Sequence, residues 1–415
     1  MLTSDNVASC EPFRVTDSST SNANKFPWLA ATLLTFLFVT FCLAIRGMDG
    51  KDFLELSLLA SYALKHGSPY KPEAPGIAYN VSTTKNSELL PGFIYPPSLI
   101  PVILPFSLLP YAVGVVAWFG FLTAAALMSV YILQRYTDAS SITTSIVILL
   151  LFSNSIMQSA LLVGQAAILI VIGVVVGIYY SIKRRWLLAG IGWSLLAIKP
   201  QIGIPFLAVA TVAGGKRGLV IAVASVTTLT LIGAIITGAP IEAILSYLPH
   251  VSETIYKIQY NRVTNDQVVS WNRAVYLVSG YEINLPAPIM VIGFTCYLVA
   301  VAIRERWPTH RISSLNYWLA AAAVTGPVFG QAKGYDLVVL ILWFPYILEA
   351  FKAGHRRIPV LFLIAIIIIG IPRAIINHLF SNIPCSQSVL SYRMWICLSL
   401  AIWLIARGPN KPYHT

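Results

Sequence analysis

FPWLAATLLTFLFVTFCLAI, residues 26–45, runs directly into RGMDGKDFLELSLLASYALKHGSPY, residues 46–70. The first stretch holds no charge and is long enough to cross a bilayer as a helix. The second opens with Arg46, Asp49, Lys51, Asp52 and Glu55. An apolar run that ends in carboxylates sets them at the membrane edge, where charge is cheap, rather than in the hydrocarbon, where it is costly. Two roles fit Asp49 and Asp52. They end the helix as solvated groups, or one of them takes a proton from a hydroxyl held at the bilayer surface.

The rest of the chain fits that reading. It is 57% hydrophobic and 11% charged, with mean hydropathy +0.74, whereas soluble domains carry roughly 25% charged residues. Apolar runs recur to residue 407 and are too long for barrel strands, which makes this an all-α polytopic membrane protein. Residues 1–25 are polar and rich in Ser, Thr and Asn, and are expected to be disordered and cytoplasmic. They lack the basic start of a signal peptide. Residues 26–407 form one transmembrane domain, and 408–415 a cytoplasmic tail. Cys10, Cys42, Cys296, Cys385 and Cys397 show no metal spacing and read as packing residues.

The net charge of +12 is concentrated in short loops, which argues against nucleic acid as a partner and for membrane lipids. Lys183–Arg185, Lys216–Arg217, Arg304 with Arg306 and Arg311, and Lys352 with Arg356–Arg357 are expected to face the cytoplasm. Loop 47–92, with four Lys and five acids, and loop 238–286, with one Lys, two Arg and four acids, belong outside. This layout predicts about 11–13 spans, near 26–45, 111–134, 142–160, 165–182, 186–198, 201–214, 218–237, 287–303, 314–328, 336–351, 358–378 and 389–406. The pieces 186–198 and 201–214 are short and form a hairpin with Lys199-Pro200 at its outer apex. Residues 93–110 carry five prolines. They are expected to form a kinked segment that does not cross, because a crossing would put every later basic loop on the wrong side.

The outer half then holds the candidate chemistry. Asp52 is the first choice of proton acceptor and Asp49 the reserve. Lys199 sits in SLLAIKPQIGIPF with apolar neighbours on both sides. Such an ammonium snorkels, pairs with a carboxylate such as Asp336, or binds a phosphate carried on a lipid. Gln165 opens an apolar run and reads as a ligand or as a helix–helix hydrogen bond. Gln201 follows Pro200. GQAKGYD, residues 330–336, supplies Gln331, Lys333, Tyr335 and Asp336. The second outer loop adds His250, Arg262, Asn265, Asn272 and Arg273, a mixture that suits sugars and also occurs in ordinary interfacial loops. Nucleotide-binding, serine-hydrolase and zinc-protease motifs are missing.

Four blocks, in order, resemble glycosyltransferase family 87 of the C-type superfamily, which includes polyprenyl-phosphate-sugar-dependent mannosyl- and arabinofuranosyltransferases. They are Asp52-Phe53 with Gly67 and Pro69-Tyr70; Tyr95-Pro96-Pro97 followed by PFSLLP; Gly164-Gln165, Trp186–Gly190 and Lys199-Pro200; and Tyr335-Asp336. The family often carries a Tyr three or four residues after its DF pair, where this chain has Glu55 and Leu56. The resemblance implies a GT-C-like fold and an inverting transfer of a mannose-like or arabinofuranose-like sugar from a polyprenyl-phosphate donor. The acceptor is a lipid or glycan at the extracytoplasmic face, here the periplasmic side of a bacterial inner membrane, for cell-envelope glycan synthesis. It also implies an acid in the first outer loop as base. Lys199, with Arg262 and Lys333, would meet the phosphate; Tyr95 joins the substrate contacts. The chemistry demands no metal and no other cofactor, because phosphate already leaves readily. A polyprenyl-linked sugar flippase or polar-solute transporter would share the spans but line a path to both faces. A lipid-linked oligosaccharide polymerase or ligase would use loop residues such as His250, Arg262 and Arg273.

Overall fold

The computed structural model describes residues 51–71, 74, 93–257, 262–282, 287–305, 312–355, 357–380, 389 and 391–407. Asp49, the run 26–45 and both chain ends lie outside the described residues. What is described is almost wholly helical, as a chain must be where no water satisfies its amides.

Helix α1 (Lys51–His66) opens the described part of the chain. A 3-10 turn (Pro97–Leu99) then leads into α2 (Ile100–Ser107) and, past Pro110, into α3 (Tyr111–Thr137). The two short pieces together reach about 16–18 Å, roughly half a hydrocarbon core. Tyr95, just before them, bonds to Gln165, and Trp118, two turns into α3, donates to the Gly164 carbonyl at 2.8 Å. Tyr95 before the proline-rich segment and Trp118 after it therefore meet at one turn, Gly164-Gln165.

Helices α4 (Ser141–Ser153) and α5 (Ser155–Val163) form a pair bent by 61°. The break is at Asn154, whose side chain accepts the Ile156 amide at 2.8 Å. Next, α6 (Ala167–Ile182) packs against α7 (Trp186–Ser194), which tightens into a 3-10 turn (Leu195–Ile198). Gly173 and Gly192 let these two backbones approach: a Cβ on either would stand 2.7 Å from the other's carbonyl oxygen. Lys199 interrupts the helix, and Pro200 begins the short α8 (Pro200–Gly203). Pro has no amide to donate and suits a first helical position.

In α9 (Phe206–Ile236) the chain reverses at Gly215, which has φ 72 and ψ −158. A Cβ on Gly218 would collide with the Ala210 carbonyl, whereas residues eight apart in a straight helix are about 12 Å apart. The helix is thus two antiparallel arms with Lys216 and Arg217 at the turn, close to the expected spans. Beyond it lie α10 (Pro240–Lys257), β1 (Val268–Val269), α11 (Trp271–Ser279), α12 (Ala287–Glu305) and α13 (Ile312–Gly330). Strand β2 (Ala332–Lys333) pairs antiparallel with β1 and leads through a 3-10 run (Gly334–Trp343) into α14 (Phe344–Lys352). A bent pair, α15 (Arg357–Ile369) and α16 (Arg373–Phe380), precedes α17 (Tyr392–Arg407). Cys397 is buried as a packing residue, while Cys296 is exposed.

Among the described residues, four helical segments have span length, or six counting the bent pairs. This is fewer than the 11–13 expected. Three reasons are local: Ala167–Ile182 and Trp186–Ile198 are shorter than a full crossing, α9 joins two expected spans, and the first apolar run lies outside the described residues. Among the described residues, the turns at 183–185 and 216–217 meet, and Lys352 meets the end of α3. The Arg217 guanidinium lies 4.8 Å from the centre of the Trp186 ring, and Lys352 Nζ donates to the Thr137 carbonyl at 2.9 Å. Gly164-Gln165 sits at the far end of α6, about 24 Å from Lys183.

Candidate active site

The turn at Gly164 aims the first side chain of the site. Gly164 ends α5 in the left-handed region at φ +78, and Gln165 N–H reaches back to the Ala160 carbonyl at 2.7 Å. This is the glycine-terminated helix end in which a residue with a Cβ is strained. The space is also filled: a Cβ on Gly164 would lie 3.2 Å from both Phe53 and Trp118. Gln165, fully buried, is thereby turned toward α1. Its Nε2 donates to Asp52 Oδ2 at 2.6 Å, and its Oε1 accepts from the Tyr95 hydroxyl at 3.3 Å. The Tyr95 hydroxyl also stands 3.4 Å from Asp52 Oδ2, so one proton serves two acceptors. Tyr70 braces the arrangement by donating to the Tyr95 carbonyl at 2.9 Å.

Asp52 thus has one oxygen tied down. Oδ1 meets no donor among the described residues, and Asp52 keeps part of its surface accessible. Burial pushes its carboxyl above the usual range; the Lys199 and Lys333 ammonium groups oppose the rise, Asp336 adds to it, and the Tyr95 hydroxyl opposes it. A carboxylate of raised proton affinity is a better base near neutral pH than an exposed one.

The second half of the site is ionic. Lys199 Nζ lies 2.7 Å from Asp336 Oδ1, and both side chains are almost fully buried. The other Asp336 oxygen accepts the Lys333 backbone N–H at 3.0 Å. Lys199 is therefore already paired, as one of the sequence readings anticipated. Its ammonium lies 5.5 Å from the ring centres of Tyr95 and Tyr335, within cation–π range. Lys333 lies 5.9 Å from the Tyr335 ring. Burial lowers the Lys333 ammonium to about 8, with Asp52 and Asp336 resisting the fall. An arriving phosphate would restore its charge.

One turn after Asp52 stands Glu55, a buried carboxyl that motif reading left outside the expected set. Burial pushes it up to about 8; the charge of Asp52 adds, while the Ile94 backbone N–H, Lys333 and Lys199 oppose. Its spacing from Asp52 was the available signal, since residues three apart share a helix face.

The remaining expected residues divide. Gln201, two residues after Lys199, packs against the end of α13, where a Cβ on Gly330 would strike its carbonyl, and Gln331 follows directly after that glycine. His250 lies 5.9 Å from the Tyr70 ring, one layer away. Arg262 is exposed on the loop before β1, and Asn265 accepts the Gln267 amide at 2.9 Å to close a turn. Asn272 is buried in the first turn of α11. Arg273 is fully buried, with its guanidinium donating to the Val263 carbonyl and to Ser391 Oγ. It ties the loop to α17 rather than facing an open site. Arg393, which motif reading missed, donates to the Ile369 and Ile371 carbonyls and to Ser155 Oγ. It serves carbonyls left open where α15 ends, a role that loop composition does not reveal. Asp49 lies outside the described residues. Among the described residues, no three His, Cys, Asp or Glu gather as metal ligands do.

The model of glycosyltransferase family 87 matches residues 93–329 of this chain. That stretch includes Tyr95, Gln165, Lys199 and Gln201, begins after Asp52, and ends before Gln331. No curated protein and no solved structure matches the chain.

Proposed function

The chain belongs to glycosyltransferase family 87, and from that premise we propose that it moves a sugar from a polyprenyl-phosphate donor to a hydroxyl of a lipid or glycan acceptor, with inversion. Asp52 is the base. Its Oδ2 is held by Gln165 and Tyr95, which leaves Oδ1 to take the acceptor's proton. The acceptor oxygen attacks the anomeric carbon, and the bond from that carbon to the phosphate oxygen breaks, with its electron pair leaving on the phosphate. Lys333, with Lys199 behind it in its ion pair, meets the charge that develops there. Arg262, Gln201, Gln331, Tyr335, His250, Asn265 and Asn272 are assigned to the surroundings of the substrates.

The observation that carries this reading is a carboxylate, tied at one oxygen by Gln165 and Tyr95, within the electrostatic reach of two ammonium groups. A transporter would not need a carboxylate fixed in this way. The basic turns lie at the opposite end of α6 from the site, which supports an extracytoplasmic reaction at a bacterial inner membrane. The test is to incubate the purified protein with radiolabelled polyprenyl-phosphate mannose or arabinofuranose and a membrane-lipid extract. Transfer from one of them to extract material is expected. Movement of intact labelled donor across vesicles, without transfer from any donor, would overturn the proposal in favour of a flippase.

A further inference from the structure

Glu55 is the buried titratable group that the proposed chemistry leaves unused. It stands one turn after Asp52 on α1, with a residue exposure of 6%. Its surroundings use only one of its oxygens. The Ile94 backbone N–H donates to the carboxyl, while Oε1 meets no partner among the described residues. A buried polar atom left in that state is costly unless a ligand or water satisfies it. The groups acting on it are Asp52 on its own helix, Lys199 and Lys333 from the facing segments, and the neighbouring Tyr95.

We propose that Glu55 is a neutral acid in the working protein and donates a hydrogen bond from Oε1 to a second oxygen of the acceptor, next to the hydroxyl that Asp52 deprotonates. The division of its oxygens fits this. The oxygen that accepts from Ile94 behaves as the carbonyl of a carboxylic acid, and Oε1 then carries the proton. Burial and the adjacent negative charge of Asp52 favour the uncharged form near neutrality. Side chains three apart on a helix have Cβ atoms about 5–6 Å apart, so Asp52 and Glu55 can reach neighbouring oxygens of one molecule. The acceptor class is therefore a polyhydroxy compound, such as the sugar or polyol end of a glycolipid, rather than a simple lipid alcohol. This rests on the transferase reading above.

The test compares the full-length wild type with Glu55→Gln and Glu55→Ala, all in lipid nanodiscs. Infrared difference spectra on the proteins alone should show a protonated-carboxyl band at pH 7. It should titrate away near pH 8 and be missing in Glu55→Gln. Transfer is then measured with radiolabelled polyprenyl-phosphate mannose and arabinofuranose against methyl mannoside and a long-chain alcohol as acceptors. Glutamine keeps a neutral donor and should stay within about threefold of wild type, without the alkaline decline. Alanine should raise KM for methyl mannoside about tenfold with a smaller change in kcat. Three results would overturn the proposal: no Glu55 band at neutral pH, equal loss in the glutamine and alanine variants, or an alanine variant like wild type. Preference for the long-chain alcohol would overturn the acceptor class. If wild type is inert toward every donor, the transferase reading fails, while the infrared result still decides the state of Glu55.

Discussion

Lys199→Met tests the ion pair at the heart of the site. Methionine keeps much of the side chain's length and removes its charge. The ammonium it deletes is 2.7 Å from Asp336 Oδ1, in a pair whose side chains are 7% and 5% exposed. Removing one partner of such a pair typically costs about 3–5 kcal/mol, because a charge is left buried alone. Here the Lys333 backbone N–H still donates to Asp336 at 3.0 Å, so the low end, about 3 kcal/mol, is expected. Asp336→Asn strands the ammonium instead and should destabilise by a similar amount. The double variant buries neither charge and should recover to within about 1 kcal/mol of wild type, giving a coupling energy of about 5 kcal/mol. Unfolding in mixed micelles, followed by tryptophan fluorescence, measures all four proteins. Coupling below about 0.5 kcal/mol would refute the buried pair. Donor binding is read on the same proteins. If Lys199 also meets the phosphate, the double variant regains stability but still binds polyprenyl-phosphate sugar about tenfold more weakly, a loss of about 1.4 kcal/mol. Full recovery of binding would confine Lys199 to holding Asp336.

Asp52→Asn keeps the side chain's shape and an acceptor for Gln165, and should lower turnover at least about a hundredfold while folding stays intact; Asp49→Asn should lose much less, and the reverse ranking would move the base to Asp49. Tyr95→Phe removes a hydroxyl that stabilises the charged form of Asp52. The acid limb of the pH–rate profile should then move to higher pH, because the base is protonated earlier as pH falls; an unmoved limb would exclude that bond from the reaction. Gly164→Ala, at φ +78, should destabilise the protein by about 1–2 kcal/mol, as measured by thermal unfolding, and an unchanged midpoint would refute the tight turn. Membrane-impermeant thiol reagents applied from the periplasmic side should modify single cysteines placed in 238–286 and spare those at 183–185; equal labelling would overturn the sidedness.

Fold class was legible because apolar runs and basic loops follow from the solvent alone. Gly215 was legible as a boundary, since Lys216-Arg217 could not lie within a span. Individual site residues were also visible: Asp52 by its place after an apolar run, Lys199 by its isolation, Gln165 by its glycine. What sequence could not provide was their meeting, because Gln165 and Asp52 are 113 residues apart and Lys199 and Asp336 are 137 apart. Arg273 shows the opposite failure. Its residue type suited a sugar, but burial and the nearby Val263 carbonyl gave it a structural task. Arg393 escaped notice because its partners are carbonyls at a bend, and a bend of 88° between α15 and α16 leaves little trace in composition.

The two-residue ladder between β1 and β2 has a mechanical consequence. Val268 is in register with Lys333, and Val269 with Ala332. The loop before β1 and the segment carrying Lys333 are thus fastened side by side, three residues before Asp336. Backbone bonds of this kind contribute only about 0.5–1.5 kcal/mol each, so the fastening is weak enough for a substrate to strain. A residue added or lost between Arg262 and Val268 would be felt as a pull on Lys333, and evolution of the loop's length is thereby geared to the position of the Lys333 charge beside Asp52 and Asp336.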